Sequence, residues 1–581
     1  MPLAFSSAAR WVCAGVVVLC LTGRTSLAGN FQPDPLPKAI EWNPKTKIAI
    51  PSLGKHNDLI VPTTPSPFAV IGIGGFDSSG AEVWDLSKAK RIGSLKGKPA
   101  GSTDFAVSPD GRYLAVKAIK PNQPTGIEIW SFETGQMVTA VDGAPVNQHI
   151  NMFDFGAKDQ LVVYTFGPTP EKKFVHYVRL FELPNGKVLQ QIDFSENLNA
   201  KQMSLSQGRH QLALIEGNSE KAIAKVIDLA TKNVLVEVPL REAKPDKYSI
   251  SWEASAFDST GKWLALLGTE ATATHLVILD LVKGEFSEQH TFPGHLSLGL
   301  GASGYKGEPV VWLPDDQGWL LYGTVLVDRD SGLLVWHLKR AADDHTSTPR
   351  VPVTGGVLVS TGPYGQKEYH RIDYPTEKIT KGLAAYRDEA PARVRPGGSV
   401  ELKMNVGAVR FGTPDETKKM LTELITERLA GDGIDVKDQS DTVVQVTYNE
   451  AAGAELDIVK GNGPGLLRGT PTGQKVQTTK GAVQIVWKSR DGKDTLWTGE
   501  VALDPKFMTF RTGEVNAEAA RKGMLDMIKY QLAGLPIPYF IPVDKSVSLL
   551  PVSSEIPSGE PTKDDKLKRK VDAKKKAMKR R

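Results

Sequence analysis

The sequence predicts a multidomain chain: an all-β propeller built from repeated sheets, followed by a smaller α+β domain. Three observations carry this. A unit of roughly 40–55 residues with about four strand-like segments recurs between residues 67 and 338. Past residue 398 the apolar period lengthens from two to between three and four, as in helices. The chain has 581 residues, 40% of them hydrophobic and 24% charged, enough material for several cores of ordinary globular composition.

At the N-terminus, Arg10 precedes the apolar run WVCAGVVVLCLT and then Ser26-Leu27-Ala28-Gly29. A basic flank, a short apolar core and small residues at the third and first positions before the cut form a secretory signal, cleaved after Ala28. The run is shorter than the roughly 20 residues a spanning helix needs. Neither Cys13 nor Cys20 follows a small residue, which argues against lipidation. Both cysteines fall in this leader, so the expected mature chain has no disulfide and no cysteine-ligated metal. The expectation is an exported protein, periplasmic or associated with a bacterial cell envelope.

The repeats occupy the expected propeller domain, residues 29–385. The clearest unit, residues 104–141 (DFAVSPDGRYLAVKAIKPNQPTGIEIWSFETGQMVTAV), reads as four strands with turns at Pro109-Asp110-Gly111 and Thr134-Gly135. Pro sets φ and Gly accepts positive φ, so Pro-Asp-Gly is a turn with a mechanism. Related units lie at 67–95, 152–192, 203–238, 255–286 and 310–338. Aligning Gly111, Gly156, Gly208, Gly261 and Gly318 gives spacings of 45, 52, 53 and 57. A four-stranded sheet cannot bury both faces alone, and radial packing solves this. Residues 356–374, completed by an early strand at 47–50, supply a seventh unit. Seven blades are favoured; six or eight stay open.

SPDGRYLA followed by IEIWSFETG, and AEVWDLSKAKR, resemble the WD-repeat and YVTN-type propellers and the related quinoprotein-like superfamily. The resemblance covers about residues 39–379. It implies a fold and leaves function open, because such folds host many functions. The His-Gly dipeptides common in WD repeats are missing.

Residues 386–398, with PARVRPGG, read as a linker. An α+β domain over 399–550 follows. Thr413-Pro414-Asp415-Glu416 places a capping Thr, Pro at the first helical position and Glu three residues after the cap. The helix runs to about Ala430, stopped by Gly431 and Gly433. Strands are expected at 399–409, 434–436, 443–448, 474–478, 483–488 and 496–502, a second helix at 516–532, and an edge strand within 535–543. The order is similar to small envelope domains such as the N-terminal domain of TolB proteins and the lipopolysaccharide-assembly lipoprotein type. A TolB-like pairing of domain and propeller would stand here in reversed order.

Residues 551–581 read as a disordered basic tail. Lys563–Arg581 (KDDKLKRKVDAKKKAMKRR) carries a net charge of +8 against +5 for the whole chain, so everything before it is net acidic. The pI near 8.8 is a property of the tail. Such a run is solvated, or holds an anionic lipid or polymer by counterion release. Nucleic acid is not expected of an exported chain.

No motif carries chemistry. The ten histidines show no metal-ligand spacing; His290 and His295 are the nearest pair, in a loop. Asp343-Asp344-His345 reads as an exposed acidic loop. Gly299–Gly304 matches a dinucleotide glycine pattern by letter but lacks the strand-to-helix context. VDRDSGLLVW, ending at Trp336, resembles a quinoprotein repeat in which Trp docks neighbouring blades; Trp84 and Trp130 stand in comparable positions. No catalytic, cofactor-binding or metal-ligating residue is assigned, and no cofactor. The expected function is non-enzymatic: a protein-binding, scaffolding propeller at the envelope, with another envelope or extracellular protein as partner. The alternatives are a propeller enzyme acting on glycans or with a bound quinone, and polyanion binding through the tail.

Overall fold

The computed structural model describes residues 32, 56–60, 68–73, 80–85, 90–94, 105–118, 124–157, 159–194, 203–217, 221–243, 250–270, 272–299, 308–339, 350–353, 355–361, 368–460, 470–505 and 516–556. The leader, residues 47–50, Asp343-Asp344-His345 and Lys563–Arg581 lie outside them. No helix among the described residues is long and apolar enough to cross a membrane.

Strand-forming segments separated by tight turns give six antiparallel meanders of four strands, at residues 56–94, 105–144, 149–194, 204–239, 251–293 and 310–339. The first strands of the second and third, the fourth and fifth, and the fifth and sixth sheets lie against one another, so these are the inner strands. This is the β-propeller the repeats predict.

The second to sixth sheets are apolar on both faces because each has a neighbour on both sides. Leu212 and Leu214 join the core shared with the third sheet, while Ala213 and Ile215 join the core shared with the fifth. Alternation thus sorts consecutive apolar residues to opposite sides. Burial of each such Leu or Ile stabilises by roughly 1.5–3 kcal/mol.

The turn from third to fourth strand repeats with the same chemistry. The N–H of Gly135, Gly186, Lys232, Gly284 and Gly332 donates to the carbonyl four residues earlier. Each of these five donors has φ between 65° and 70°. A left-handed residue there accompanies a one-residue bulge, and the ladder shifts register just before the turn, at Ile129/Trp130, Leu180/Phe181, Val226/Ile227, Ile278/Leu279 and Leu326/Val327. The carboxylates of Asp228, Asp280 and Asp328 accept N–H groups two or three residues on.

In the turn from first to second strand, the left-handed residues are Gly111, Arg209, Gly261 and Asp316, each donating to the carbonyl three residues before. Gly208 and Gly318 are therefore not the equivalents of Gly111; the alignment is off by one and two residues. Gly318 instead opens a strand where a Cβ would lie 2.1 Å from the Val327 carbonyl oxygen. In the third sheet Asp159, not Gly156, has positive φ.

The seventh unit has three described strands, Val351–Val353, Gly356–Thr361 and Glu368–Asp373. The described residues also hold four α-helices: α1 (Leu296–Gly299), α2 (Thr376–Arg387), α3 (Pro414–Gly431) and α4 (Ala517–Ala533). The repeat pattern gave no sign of α2, which buries Ile379 and Leu383 one turn apart.

The C-terminal sheet runs in the order Asp435–Val436, Ser399–Val406, Thr442–Lys460, Thr470–Ser489, Thr495–Leu503. The first two pairings are parallel and the others antiparallel. Thr413 and Glu416 form the expected capping box, and Asn516 caps α4. The two strands expected at 474–478 and 483–488 are one: Gly481 continues the strand and leaves room for Met524 of α4, whose Sδ would lie 2.8 Å from a Cβ there.

The two units share one core. It joins Trp336 and Leu338 of the sixth sheet, Val357 and Val359 of the seventh unit, Leu383 of α2, and Val446, Trp487 and Ile528 of the α+β domain. Within residues 386–398, read as linker, Ala392–Val394 is a strand paired with Ile541–Pro542. Flanking prolines and glycines disguise it. Residues 551–556, read as the start of the tail, hold the strand Val552–Glu555, which adds in parallel to the outer edge of the sixth sheet.

Candidate functional site

Strand register divides each sheet into two ends. One carries the first–second and third–fourth turns. There the sheets are welded to one another: the Arg112 guanidinium meets Asp159, Arg209 meets Asp154, and the Ser259 N–H donates to Asp316 Oδ1 at 3.1 Å. Arg209 and Asp154 are buried, with side chains 5% and 4% exposed. The opposite end carries the second–third turns and the connections between sheets, and two side-chain groups stand on it.

The first group is an aromatic column on the third sheet. Its second and third strands, Gln160–Pro168 and Phe174–Glu182, pair Tyr164 with Val178, Phe166 with His176 and Pro168 with Phe174. The period of two puts these side chains on one face, above the core shared with the fourth sheet. Tyr164, Phe166 and His176 stack with interplanar angles of 12–18° and centroids 6.1–6.4 Å apart. Tyr164 Oη and His176 Nδ1 lie 2.6 Å apart, and burial pushes the Tyr164 hydroxyl pKa up. His149 and Phe174 flank Phe166 at 5.6 and 6.0 Å. The column starts in the core and ends on the surface, where Phe174 is 44% exposed and Val146, on the connection leading to His149, is 49% exposed.

The connection is firmly held. Tyr177 Oη donates to Gln148 Oε1 at 2.6 Å, and Thr165 Oγ1 donates to the Gly143 carbonyl at 2.8 Å. Gly167 approaches Gln148 so closely that a Cβ would lie 2.8 Å from its Cα.

The second group stands where the fifth and sixth sheets meet α1. Glu253 Oε1 accepts from Thr269 and Oε2 from Tyr322, both at 2.7 Å. His295 Nε2 lies 3.9 Å from Glu253, and His295 Nδ1 lies 2.9 Å from Ser297 Oγ. Burial holds the His295 pKa below the usual range against the opposing Glu253 charge, and burial followed by Glu253 raises that of Tyr322. Tyr322 has φ 48°, a left-handed conformation that is strained for an aromatic residue.

Serine, imidazole and carboxylate here are not a nucleophilic relay. The 3.9 Å separation exceeds hydrogen-bond range, and the Ser297 contact is local, two residues from His295. The arrangement positions a loop: α1 lies on α4, and a Cβ on Gly294 (φ 74°) would stand 2.1 Å from the Ala533 carbonyl oxygen.

A third feature is a single carboxylate. Glu308, just before the sixth sheet, feels the charges of Asp154 on the third and Arg209 on the fourth. It keeps contact with solvent although protein atoms crowd it. Crowding by protein atoms and the Asp154 charge raise its pKa, opposed by Arg209 and tempered by its exposure.

The residues singled out from sequence have structural settings. Trp84 and Trp130 are buried near the ends of third strands. Trp336 is not comparable: it lies on a fourth strand, edge-on to Tyr374 at 5.1 Å in the shared core. His290 lies against Trp319 and 3.5 Å from Glu288, apart from the His295 group. Gly299 ends α1, and the rest of its glycine pattern lies outside the described residues. No group of three or more His, Cys, Asp or Glu among the described residues could hold a metal. Sequence reasoning missed the aromatic column and Glu253. The signal for the column was present, as aromatic or His residues at alternate positions 164, 166, 174 and 176.

No family model matches the chain, and no curated protein matches it. Among solved structures it is similar to TolB from Acinetobacter baumannii, 16% identical over 42% of this chain and 55% of that one, with a TM-score of 0.29. The match thus spans about half of the TolB chain. It is also similar to the Cps50 (Swd1) β-propeller domain of Myceliophteria thermophila, 11% identical over 48% of this chain and 94% of that one, with a TM-score of 0.27.

Proposed function

We propose that this chain is an exported, non-enzymatic binding protein, and that another envelope or extracellular protein docks on the end of the third blade. The observation that carries the reading is the aromatic column. Large rings seated in a core and emerging at Phe174 give apolar contact area with little conformational entropy left to lose on binding. The welded turns of the opposite end and the held connection at Gln148 keep this surface in place. Export rests on the leader ending at Ala28, and attachment to an anionic lipid or polymer on Lys563–Arg581.

Two measurements test the proposal. Protein recovered from its native host should begin at Gly29; an intact leader removes the export half. Chemical crosslinking in that host should yield one discrete complex, reduced at least about 10-fold in a Val146→Ser/Phe174→Ser variant of unchanged circular dichroism. Equal yield from both proteins removes the docking half.

A further inference from the structure

We infer that the outer edge of the sixth blade is a strand-acceptor site, filled here by the chain's own segment Val552–Glu555 and open to an extended segment of a partner once that segment lifts. Four observations support it. The added strand is parallel, with Trp336 beside Val552, His337 beside Ser553, Leu338 beside Ser554 and Lys339 beside Glu555. All the other strands of that sheet are antiparallel and joined by tight turns, so this one is an addition to a finished meander.

Second, the edge reads side chains as well as backbone. Trp336 Nε1 donates to Ser554 Oγ at 2.9 Å, and Lys339 Nζ stands 3.5 Å from Glu555 Oε1. Third, apolar residues bracket the strand: Leu550, Val552 and Ile556 are buried in the shared core, while Ser553, Ser554 and Glu555 are not. Fourth, the strand is short, only four residues, and Glu555 is mostly exposed. A four-residue edge strand is the least cooperative part of a sheet, and local opening is drawn from such segments. Its chemistry defines its replacement. The incoming segment is extended, with an aliphatic residue, two small polar residues, an acid and a second aliphatic in succession, and it binds by adding a strand to an edge.

Two experiments on the full chain test this. In native-state hydrogen exchange, the amides of residues 553–555 should exchange at least about 100-fold faster than those of the central strand Trp263–Thr269, without global unfolding. Equal rates would overturn the proposal, because the strand would then open only with the whole molecule. In the second, a labelled peptide PVSSEIPS (residues 551–558) is titrated against wild type and Ser554→Pro, in which the resident strand is weakened. The variant should bind at least about 10-fold more tightly, with a change in tryptophan emission from Trp336, and a peptide carrying the same proline should not bind. A folded variant that binds no better than wild type, or binds both peptides equally, contradicts the acceptor site. If the variant does not fold, the exchange result on wild type decides.

Discussion

Arg209 shows how a single residue can serve a fold in two ways. Its backbone closes a turn at φ 68°, where the second and fifth blades use glycine, and its guanidinium crosses to the buried Asp154 of the preceding blade. Removing one member of such a pair leaves a buried charge unmatched. Arg209→Met should therefore lose about 3–5 kcal/mol of unfolding free energy, and Asp154→Leu/Arg209→Met should recover part of it. Denaturant melts read both; a loss below about 1 kcal/mol would make the pair incidental. His337 makes the fold sensitive to acid. Burial, with Lys339 adding to it, holds its pKa at about 3. An unfolded His binds a proton near pH 6.5, so the stabilisation is present above that value and is lost as pH falls below it, by about 1.4 kcal/mol per unit. Between pH 6.5 and 4.5, wild type should lose stability more steeply than His337→Leu, and parallel slopes would show that His337 is not the group responsible. Neither role was legible in the sequence. Burial of a charge or an imidazole depends on which blade lies next door, which repeat spacing does not reveal.

Turns and strands were the most legible elements. Pro109-Asp110-Gly111 and Thr134-Gly135 are local chemistry, and the structure has both turns where the sequence places them. The gaps occur where a different residue takes the same backbone role. Arg209 and Asp316 replace glycine in the first turn, so alignment by glycine slipped there. Lys232 is the exception in the second turn, with φ 65°. Lys232→Gly should raise stability by about 0.5–1 kcal/mol, since the left-handed conformation costs an ordinary residue about 1–2 kcal/mol and glycine's greater unfolded entropy offsets part. A fall in melting temperature would mean the lysine side chain holds something. The capped helix α3 was legible for the same local reason. The strands at Ala392–Val394 and Val552–Glu555 were not, because both are defined by partners some 150 and 216 residues away in sequence.

At the scale of the molecule, composition and repeats announced two units, and the structure has two folds around one continuous core. Linker-like composition at 386–398 says nothing about a core, which forms from faces contributed on both sides of it. The sixth blade and the α+β domain should accordingly unfold together: amides of Leu334–Lys339 and of residues 483–488 should lose protection at the same denaturant concentration. Gly294→Ala, which forces a Cβ into the Ala533 carbonyl, should separate the two transitions. Coincident loss in the variant would place the coupling elsewhere.

The proposed docking of a partner on the third blade is tested most directly by a photo-crosslinking amino acid placed, in the native host, at position 174 or at position 282 on the opposite end of the fifth blade. Phe174 and Val282 are similarly exposed, at 44% and 48%. The account predicts one discrete adduct from position 174 and none of that mass from position 282. Equal adducts from both positions, or none from position 174 in a folded, exported protein, would contradict it.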